Sequence, residues 1–351
     1  MSAPTATTTP TAPAVPEFSV IGGKAVHDVL AGHEPSILDV VRDAYLAHGE
    51  GQSVNPPSYF LRFPDRPDSR IIALPASLGG ERPVDGIKWI SSFPRNITSG
   101  LPRASAVLVL NDHDTGYPFA CLESSIISAT RTASSAALAA RELHRDRERP
   151  RTVTFFGTGL IARYLFTHLQ GTGWEFDEIS IHDASREYAD SFARHLADRT
   201  PAKIVVRESA EEALRASGLV VFATTAATPH IHDPAWFAHN PTVLHISLRD
   251  LDPEILRGSF NVLDDIEHCL KADTSPHLLE QATGNRDFVD GTLYDVLRST
   301  VTVPQDRPVI FSPFGLGILD LAVGAHVYRE ATARGLAQPA PGFFHDLSRY
   351  A

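Results

Sequence analysis

The turn Gly157-Thr158-Gly159-Leu160-Ile161-Ala162 is the first place where residue type and spacing point to chemistry. It follows the apolar run Thr-Val-Thr-Phe-Phe at 152–156 and has the form G-x-G-x-x-A. A first glycine there permits a tight strand-to-helix turn. A second lets a pyrophosphate approach the backbone, and a small third residue lets the helix sit close to the sheet. The backbone of Thr158, Leu160 and Ile161 completes the cradle, and the helix N-terminus offers unpaired N–H groups to phosphate oxygens. Asp183 closes the next strand, 24 residues after Gly159. A carboxylate at that point accepts hydrogen bonds from both ribose hydroxyls of an adenosine and repels a 2′-phosphate. The cofactor expected is therefore NAD rather than NADP. Arg186 nearby works in the opposite sense. Thr225, with Thr224 before it, and Ser247 fall at the ends of the fourth and fifth strands of the same series, where a doubly wound sheet opens its ligand crevice. They suit cofactor contacts and ordinary loop caps equally well.

A dinucleotide enzyme also needs a substrate pocket, and three cations stand in apolar or small-residue settings. Arg62 lies in Tyr-Phe-Leu-Arg-Phe, Lys88 in Gly-Ile-Lys-Trp-Ile and Arg131 in Ser-Ala-Thr-Arg-Thr-Ala-Ser. A cation on a half-buried strand needs an anionic partner. The carboxylates of a small acid substrate would serve. Arginine grips them bidentately, and lysine supplies a point charge whose pKa falls on desolvation. Taken singly, each also reads as a snorkelling surface residue. His230-Ile231-His232-Asp233 alternates metal-ligand types, but no third and fourth ligands accompany it. It reads as a polar loop, and no metal is expected.

These residues require two kinds of scaffold. From 152 onward the chain alternates strand and helix: strands at 152–156, 178–183, 203–206, 219–225 and 242–248, helices at 161–170, 185–199 and 209–218. That order predicts a parallel sheet covered on both faces, an α/β Rossmann-type domain. Before it, a helix at 36–47 with Ser36 as its N-cap precedes strands at 58–63, 70–78, 87–93, 105–111 and 117–122. The last two are joined by the turn at Asp114-Thr115-Gly116, which predicts an antiparallel α+β domain. The Ala-rich stretch at 124–145 bridges the two, and a helix at 315–334 returns to the first. The expected division is a substrate-binding domain at 19–130 with 320–351, and a dinucleotide-binding domain at 131–319. The Pro-, Thr- and Ala-rich residues 1–18 are expected to be a disordered tail, not a signal peptide.

Bulk properties narrow the partners. The 351 residues are 43% hydrophobic and carry a net charge of −11, which argues against a nucleic-acid partner. No apolar run reaches the roughly 18 residues of a membrane span, so no membrane partner is expected. Two isolated cysteines, Cys121 and Cys269, suit a reducing cytoplasm.

The segments GIKWISSFPRNITSGLPRASAVLVLND, ESSIISATRTASSAALAA and FFGTGLIARYL together resemble the ornithine cyclodeaminase/mu-crystallin family, from about Ile21 to the end. GIKWISSFPRNI, HISLRDLDPEIL and PFGLGILDLA are most similar to its branch of N-(2-amino-2-carboxyethyl)-L-glutamate dehydrogenases. The resemblance implies NAD-dependent oxidation of a secondary amine at the glutamate Cα. Imine hydrolysis would then give 2-oxoglutarate and L-2,3-diaminopropionate for siderophore or peptide-antibiotic biosynthesis. It implies that Lys88 contacts substrate, that Arg62 holds a substrate carboxylate, and that Arg131 and Thr132 sit at the pyrophosphate and substrate edge. Arg103 is a further candidate for the three carboxylates. The family's acid/base aspartate lies in a loop that is shortened here to Ser247-Leu248-Arg249-Asp250-Leu251, with Asp250 the nearest candidate base and Glu123 an alternative. Both also read as caps or ion-pair partners. The shortening counts against ornithine cyclisation. Alanine dehydrogenase, ketimine reductase and a non-catalytic dinucleotide-dependent binding protein are the rival family roles. A homodimer formed through the first domain is also implied.

Overall fold

The computed structural model describes residues 16–344, so the expected tail lies outside the described residues except for Pro16, Glu17 and Phe18. Two eight-stranded sheets organise the chain. The first runs in the spatial order Gln338–Pro339, Ser19–Ile21, Pro118–Glu123, Ala104–Asn111, Val84–Ser92, Arg66–Leu78; Ser53–Val54 and Tyr59–Phe63 both pair with the last of these. Every pairing in it is antiparallel except Ser19–Ile21 on Pro118–Glu123. The short Ser19–Ile21 and Gln338–Pro339 strands were not predicted, because two or three residues carry no period.

Register decides which side chains meet. Arg62 is opposite Arg70, Arg70 is opposite Ser92, Leu74 is opposite Lys88, and Lys88 is opposite Leu108. Residues directly opposite share a face. Arg62, Arg70, Ser92 and Lys88 therefore share the face of the buried Leu108 and Leu110. The Gly317–Ala333 helix covers that face, as predicted for 315–334.

The second sheet is wholly parallel. Its order is Lys203–Val206, Glu178–His182, Thr152–Phe156, Leu219–Phe222, Thr242–His245, Val309–Ser312, Phe260–Leu263, Val289–Thr292. The chain reverses direction of travel at Thr152–Phe156, whose carboxyl end leads into the glycine turn. The fold is thus a Rossmann-type α/β unit joined to an α+β unit. The Ser125–Leu143 helix joins them. Its small residues, Ala133 through Ala137 among them, are buried on every side, so neighbours from both layers approach it closely. The first predicted helix starts two residues early, at Glu34. Ser36 does not cap it: the hydroxyl donates to the His33 carbonyl at 2.9 Å. Among the described residues no helix is long and apolar enough to cross a membrane.

Candidate active site

Lys88, Ser128, Arg131 and Asp320 converge where the two layers meet. Lys88 projects from Val84–Ser92 toward the covering helix. Its Nζ lies 2.7 Å from Asp320 Oδ2 and donates to Ser128 Oγ at 3.1 Å. Arg131, on the bridging helix, brings its Nε to 3.3 Å from Asp320 Oδ1. Lys88 is 2% exposed and Asp320 is fully buried. One carboxylate therefore serves two cations. Burial pushes the Lys88 ammonium down, Asp320 pulls it back up, and Arg131 pushes it down again, leaving its pKa at about 8. Such an amine exchanges protons near neutral pH.

Arg131 reaches this position across the loop after Val309–Ser312. Gly315 there has φ +93°, and a Cβ on it would lie 2.5 Å from Arg131 Nη1. Buried Asp264 fixes the loop by accepting the N–H groups of Phe314 at 2.9 Å and Gly315 at 2.7 Å. The sequence reading missed both aspartates. The signal for Asp320 was a single carboxylate within the apolar run Gly-Ile-Leu-Asp-Leu-Ala-Val, which has to be paired if that run is buried.

The glycine turn lies at the carboxyl end of the parallel sheet. Gly157 has φ +81°, and a Cβ on it would meet Ala223 O at 2.6 Å, so no other residue fits without displacement. A Cβ on Gly159 would meet nothing within 4 Å. The face of the turn is therefore open where a pyrophosphate would approach. No side chain caps the Leu160–Gly171 helix that follows, so its first N–H groups remain available. Asp183 accepts from Thr158 N at 3.0 Å and Thr158 Oγ1 at 2.8 Å through Oδ2, and from Ser185 N at 2.9 Å through Oδ1. It thus stands beside the turn, as a ribose partner must. Arg186 turns away to Asp190 at 2.9 Å and Glu208 at 3.7 Å. These residues fit a dinucleotide without a 2′-phosphate.

Several expected roles need correction. Asp250 is fully buried, and both its oxygens are occupied. Oδ1 accepts from the Thr224 hydroxyl and from His230 Nε2 at 3.1 Å; Oδ2 accepts from the Ser247 hydroxyl and lies 3.2 Å from His245 Nε2. Burial alone would raise its pKa, but the hydrogen bonds from His230, His245 and Ser247 outweigh it and hold the carboxyl well below the usual carboxylate range. This geometry suits a positioning residue tying two loops together, not a general base. Glu123 is spent as well: it accepts from Ser125 N at 2.7 Å and Ile126 N at 3.2 Å, capping the bridging helix. The strands expected to end at Thr225 and Leu248 stop at Phe222 and His245. Ser247 is given to Asp250, while Thr225 remains exposed at the crevice. Thr132 Oγ1 donates to the Ser128 carbonyl at 2.8 Å, leaving only its placement beside Arg131. Arg62 lies on an exposed strand rather than a half-buried one, with its guanidinium 4.9 Å from the Phe60 ring centroid. His230 and His232 turn to different carboxylates, Asp250 and Asp252.

Known proteins share this sequence and fold along most of the chain. N-((2S)-2-amino-2-carboxyethyl)-L-glutamate dehydrogenase from Staphylococcus aureus is 28% identical over 321 residues, covering 87% of this chain and 92% of that protein. An archaeal alanine dehydrogenase dimer with bound NAD superposes with a TM-score of 0.82 at 25% identity, over 93% of this chain and all of that one. Thermococcus litoralis Δ1-pyrroline-2-carboxylate reductase, in complex with NADH and L-proline, shares the fold with a TM-score of 0.84 at 22% identity, over 92% of this chain and 99% of that one. The model of the ornithine cyclodeaminase/mu-crystallin family matches residues 28–335, and the chain belongs to that family.

Proposed function

We propose that this chain is an NAD-dependent oxidoreductase acting on a CH–NH bond of an amino-acid derivative. Its substrate is N-(2-amino-2-carboxyethyl)-L-glutamate, and the products are 2-oxoglutarate and L-2,3-diaminopropionate, destined for siderophore or peptide-antibiotic assembly. The observation that carries the reading is the buried Lys88–Asp320–Arg131 set, in a chain similar along most of its length to a dehydrogenase of that substrate.

The dinucleotide would be held by the 157–161 turn, with Asp183 on its adenosine ribose, Arg131 and Thr132 at its pyrophosphate edge and Thr225 and Ser247 along the crevice. When bound, its nicotinamide supplies the acceptor for a hydride. Arg131 and Arg62 hold substrate carboxylates. Lys88, with an ammonium that titrates near pH 8, takes the proton from the substrate's secondary ammonium and leaves the nitrogen lone pair free. Once the Cα–N bond is an imine, water adds at carbon. Loss of a proton from the new hydroxyl and protonation of nitrogen then break the C–N bond. Asp320 keeps Lys88 aimed and Asp250 keeps the loops in place.

We assign residues 19–130 with 320–351 to the substrate-binding domain and 131–319 to the dinucleotide-binding domain, in a cytoplasmic homodimer. The outer face of the antiparallel sheet supports the dimer. Trp89 and Val107, opposite each other and each 42% exposed, continue through Ala73 to Tyr59, 67% exposed. A second copy covers such a face well. Light scattering should report two chains, and Val107→Glu should report one.

The test of the reaction is to incubate purified protein with NAD+ and N-(2-amino-2-carboxyethyl)-L-glutamate, following NADH absorbance and 2-oxoglutarate release. Lys88→Ala should abolish turnover and leave NADH binding nearly unchanged. Faster turnover of ornithine, alanine or a cyclic imine would assign a different family reaction, and no turnover of any would sink the reading.

A further inference from the structure

Arg62, Arg70, Arg103 and Arg249 lie without acidic partners in a chain of net charge −11. Among the described residues, none of the four has a carboxylate oxygen within 4.0 Å. Two observations place the first three together. The sheet register sets Arg62 beside Arg70 and Arg70 beside Ser92 on the Lys88 face, and Arg103 Nη1 donates to Ser92 Oγ at 3.0 Å. Arg249 enters from the other layer, on the shortened loop after Thr242–His245, with its Nη2 on the Ala272 carbonyl at 2.7 Å. Arg70 lies near enough to Arg249 for their charges to repel, so the group spans the two layers. Arg70 is four residues from Leu74, the partner of Lys88, or about 13 Å along the strand at about 3.3 Å per residue.

We propose that Arg70, Arg103 and Arg249, with Arg62 at their edge, form a second carboxylate subsite that takes the distal carboxylate of a di- or tricarboxylic amino acid. This deepens the functional reading above and rests on it for the reacting end. Alanine and proline have one carboxylate, and the Lys88–Arg131 end suffices for them. Arg70, Arg103 and Arg249 have no role with such substrates, and their mutual repulsion destabilises the empty cleft. Burial pushes the guanidinium pKa values of Arg103 and Arg249 down, and nearness to Arg70 pushes both further the same way, with Asp273 and Asp250 offsetting part of this at Arg249. A bound carboxylate relieves that strain and gains charge-assisted, bidentate hydrogen bonds.

The experiment compares two ligands of equal carbon count, 2-oxoglutarate and 2-oxopentanoate, which differ only in the distal carboxylate. Their affinities for the NADH-loaded enzyme are measured by calorimetry. The wild type should bind 2-oxoglutarate at least about ten-fold more tightly. Arg103→Gln should cut that preference to about three-fold or less, leaving 2-oxopentanoate and NADH affinities unchanged. Arg249→Gln should act alike, and serves if the sheet variant does not fold. Equal affinity of the two ligands for the wild type overturns the proposal, as does a preference retained in the folded variants. Preference for 2-oxoglutarate without turnover of the secondary amine refutes the assigned reaction and leaves the subsite standing. Turnover without that preference refutes the subsite alone.

Discussion

Asp320→Asn should move the acid limb of the pH–rate profile to lower pH. The carboxylate touches Lys88 Nζ at 2.7 Å and is the main influence opposing its desolvation, with Lys88 titrating at about 8. At an effective dielectric near 20, opposite unit charges about 4 Å apart attract by about 4 kcal/mol. At about 1.4 kcal/mol per pH unit, that corresponds to at most about 3 units. Water entering beside the neutral amide returns part of it, so a fall of about 1–2 units is expected. If neutral Lys88 accepts the substrate's proton, rate rises with pH through the Lys88 pKa, and the limb reports that pKa directly. Arg131 acts with the opposite sign, since its like charge lowers the Lys88 pKa. Arg131→Met should therefore move the limb upward. The assay is kcat/KM for NAD+ reduction across pH, with NADH titration as the binding control. Both variants will lose rate because both disturb substrate placement, so the position of the limb is diagnostic and its height is not. A limb that stays in place in both variants, or moves the same way in both, would refute Lys88 as the titrating group.

The glycine turn separates fold from ligand. Gly157→Ala, with φ +81° and Ala223 O at 2.6 Å from the new Cβ, should lose about 1–3 kcal/mol in a denaturant melt. Gly159→Ala meets no protein atom within 4 Å, so its melt should match the wild type while NADH affinity falls; an unchanged NADH affinity would show that the phosphates lie elsewhere. Asp183→Ser should narrow the preference for NAD over NADP by about ten-fold or more, read as a ratio of kcat/KM values. Asp250→Asn puts an NH2 donor where a carboxylate oxygen accepts from a hydroxyl, and should lose about 2 kcal/mol or more at neutral pH. Because the folded Asp250 carboxyl titrates below its unfolded value, its contribution is full above about pH 4 and fades as pH falls further. The variant should show a correspondingly flatter acid loss of stability.

The parallel sheet was legible where apolar, β-branched runs met turn residues. The strands Thr152–Phe156 and Lys203–Val206 have the predicted bounds. The later strands Phe260–Leu263, Val289–Thr292 and Val309–Ser312 escaped notice. Four residues with both faces covered show no alternation, and Val-Asp-Gly-Thr reads as a turn. Lys88 and Arg131 stood out locally because a cation among apolar or small neighbours breaks a pattern. Their common partner did not, since Asp320 is 232 residues from Lys88. No period within either segment encodes that meeting. The arginine group was illegible for the same reason: Arg62, Arg70 and Ser92 become neighbours only through strand register, and Arg249 only through the docking of the second layer.

Four buried or half-buried aspartates surround the cleft, and hydrogen-bond satisfaction assigns their work. Asp250 accepts from two hydroxyls and lies against two imidazoles, so both its oxygens are engaged within the protein. Asp264 accepts three backbone N–H groups, those of Asp265, Phe314 and Gly315, and the Cys269 thiol, which makes it the anchor of the loop beneath Arg131. Asp265 lies between His48 at 3.0 Å and His268 at 2.9 Å, linking the Glu34–Gly49 helix to the parallel sheet. Asp320 alone faces two cations. In the proposed reaction the proton in play is that of Lys88, whose pKa lies at about 8. The covering helix that carries Asp320 is itself fixed from both layers: Ile318 N donates to Asn55 Oδ1 at 3.2 Å, and the Asn55 amide meets His268 Nε2 at 3.0 Å. In the proposed reaction, proton transfer at Lys88 thus depends on how the two layers are docked, and a substitution that loosens the His48–Asp265–His268–Asn55 contacts would act on it through Asp320 without touching substrate.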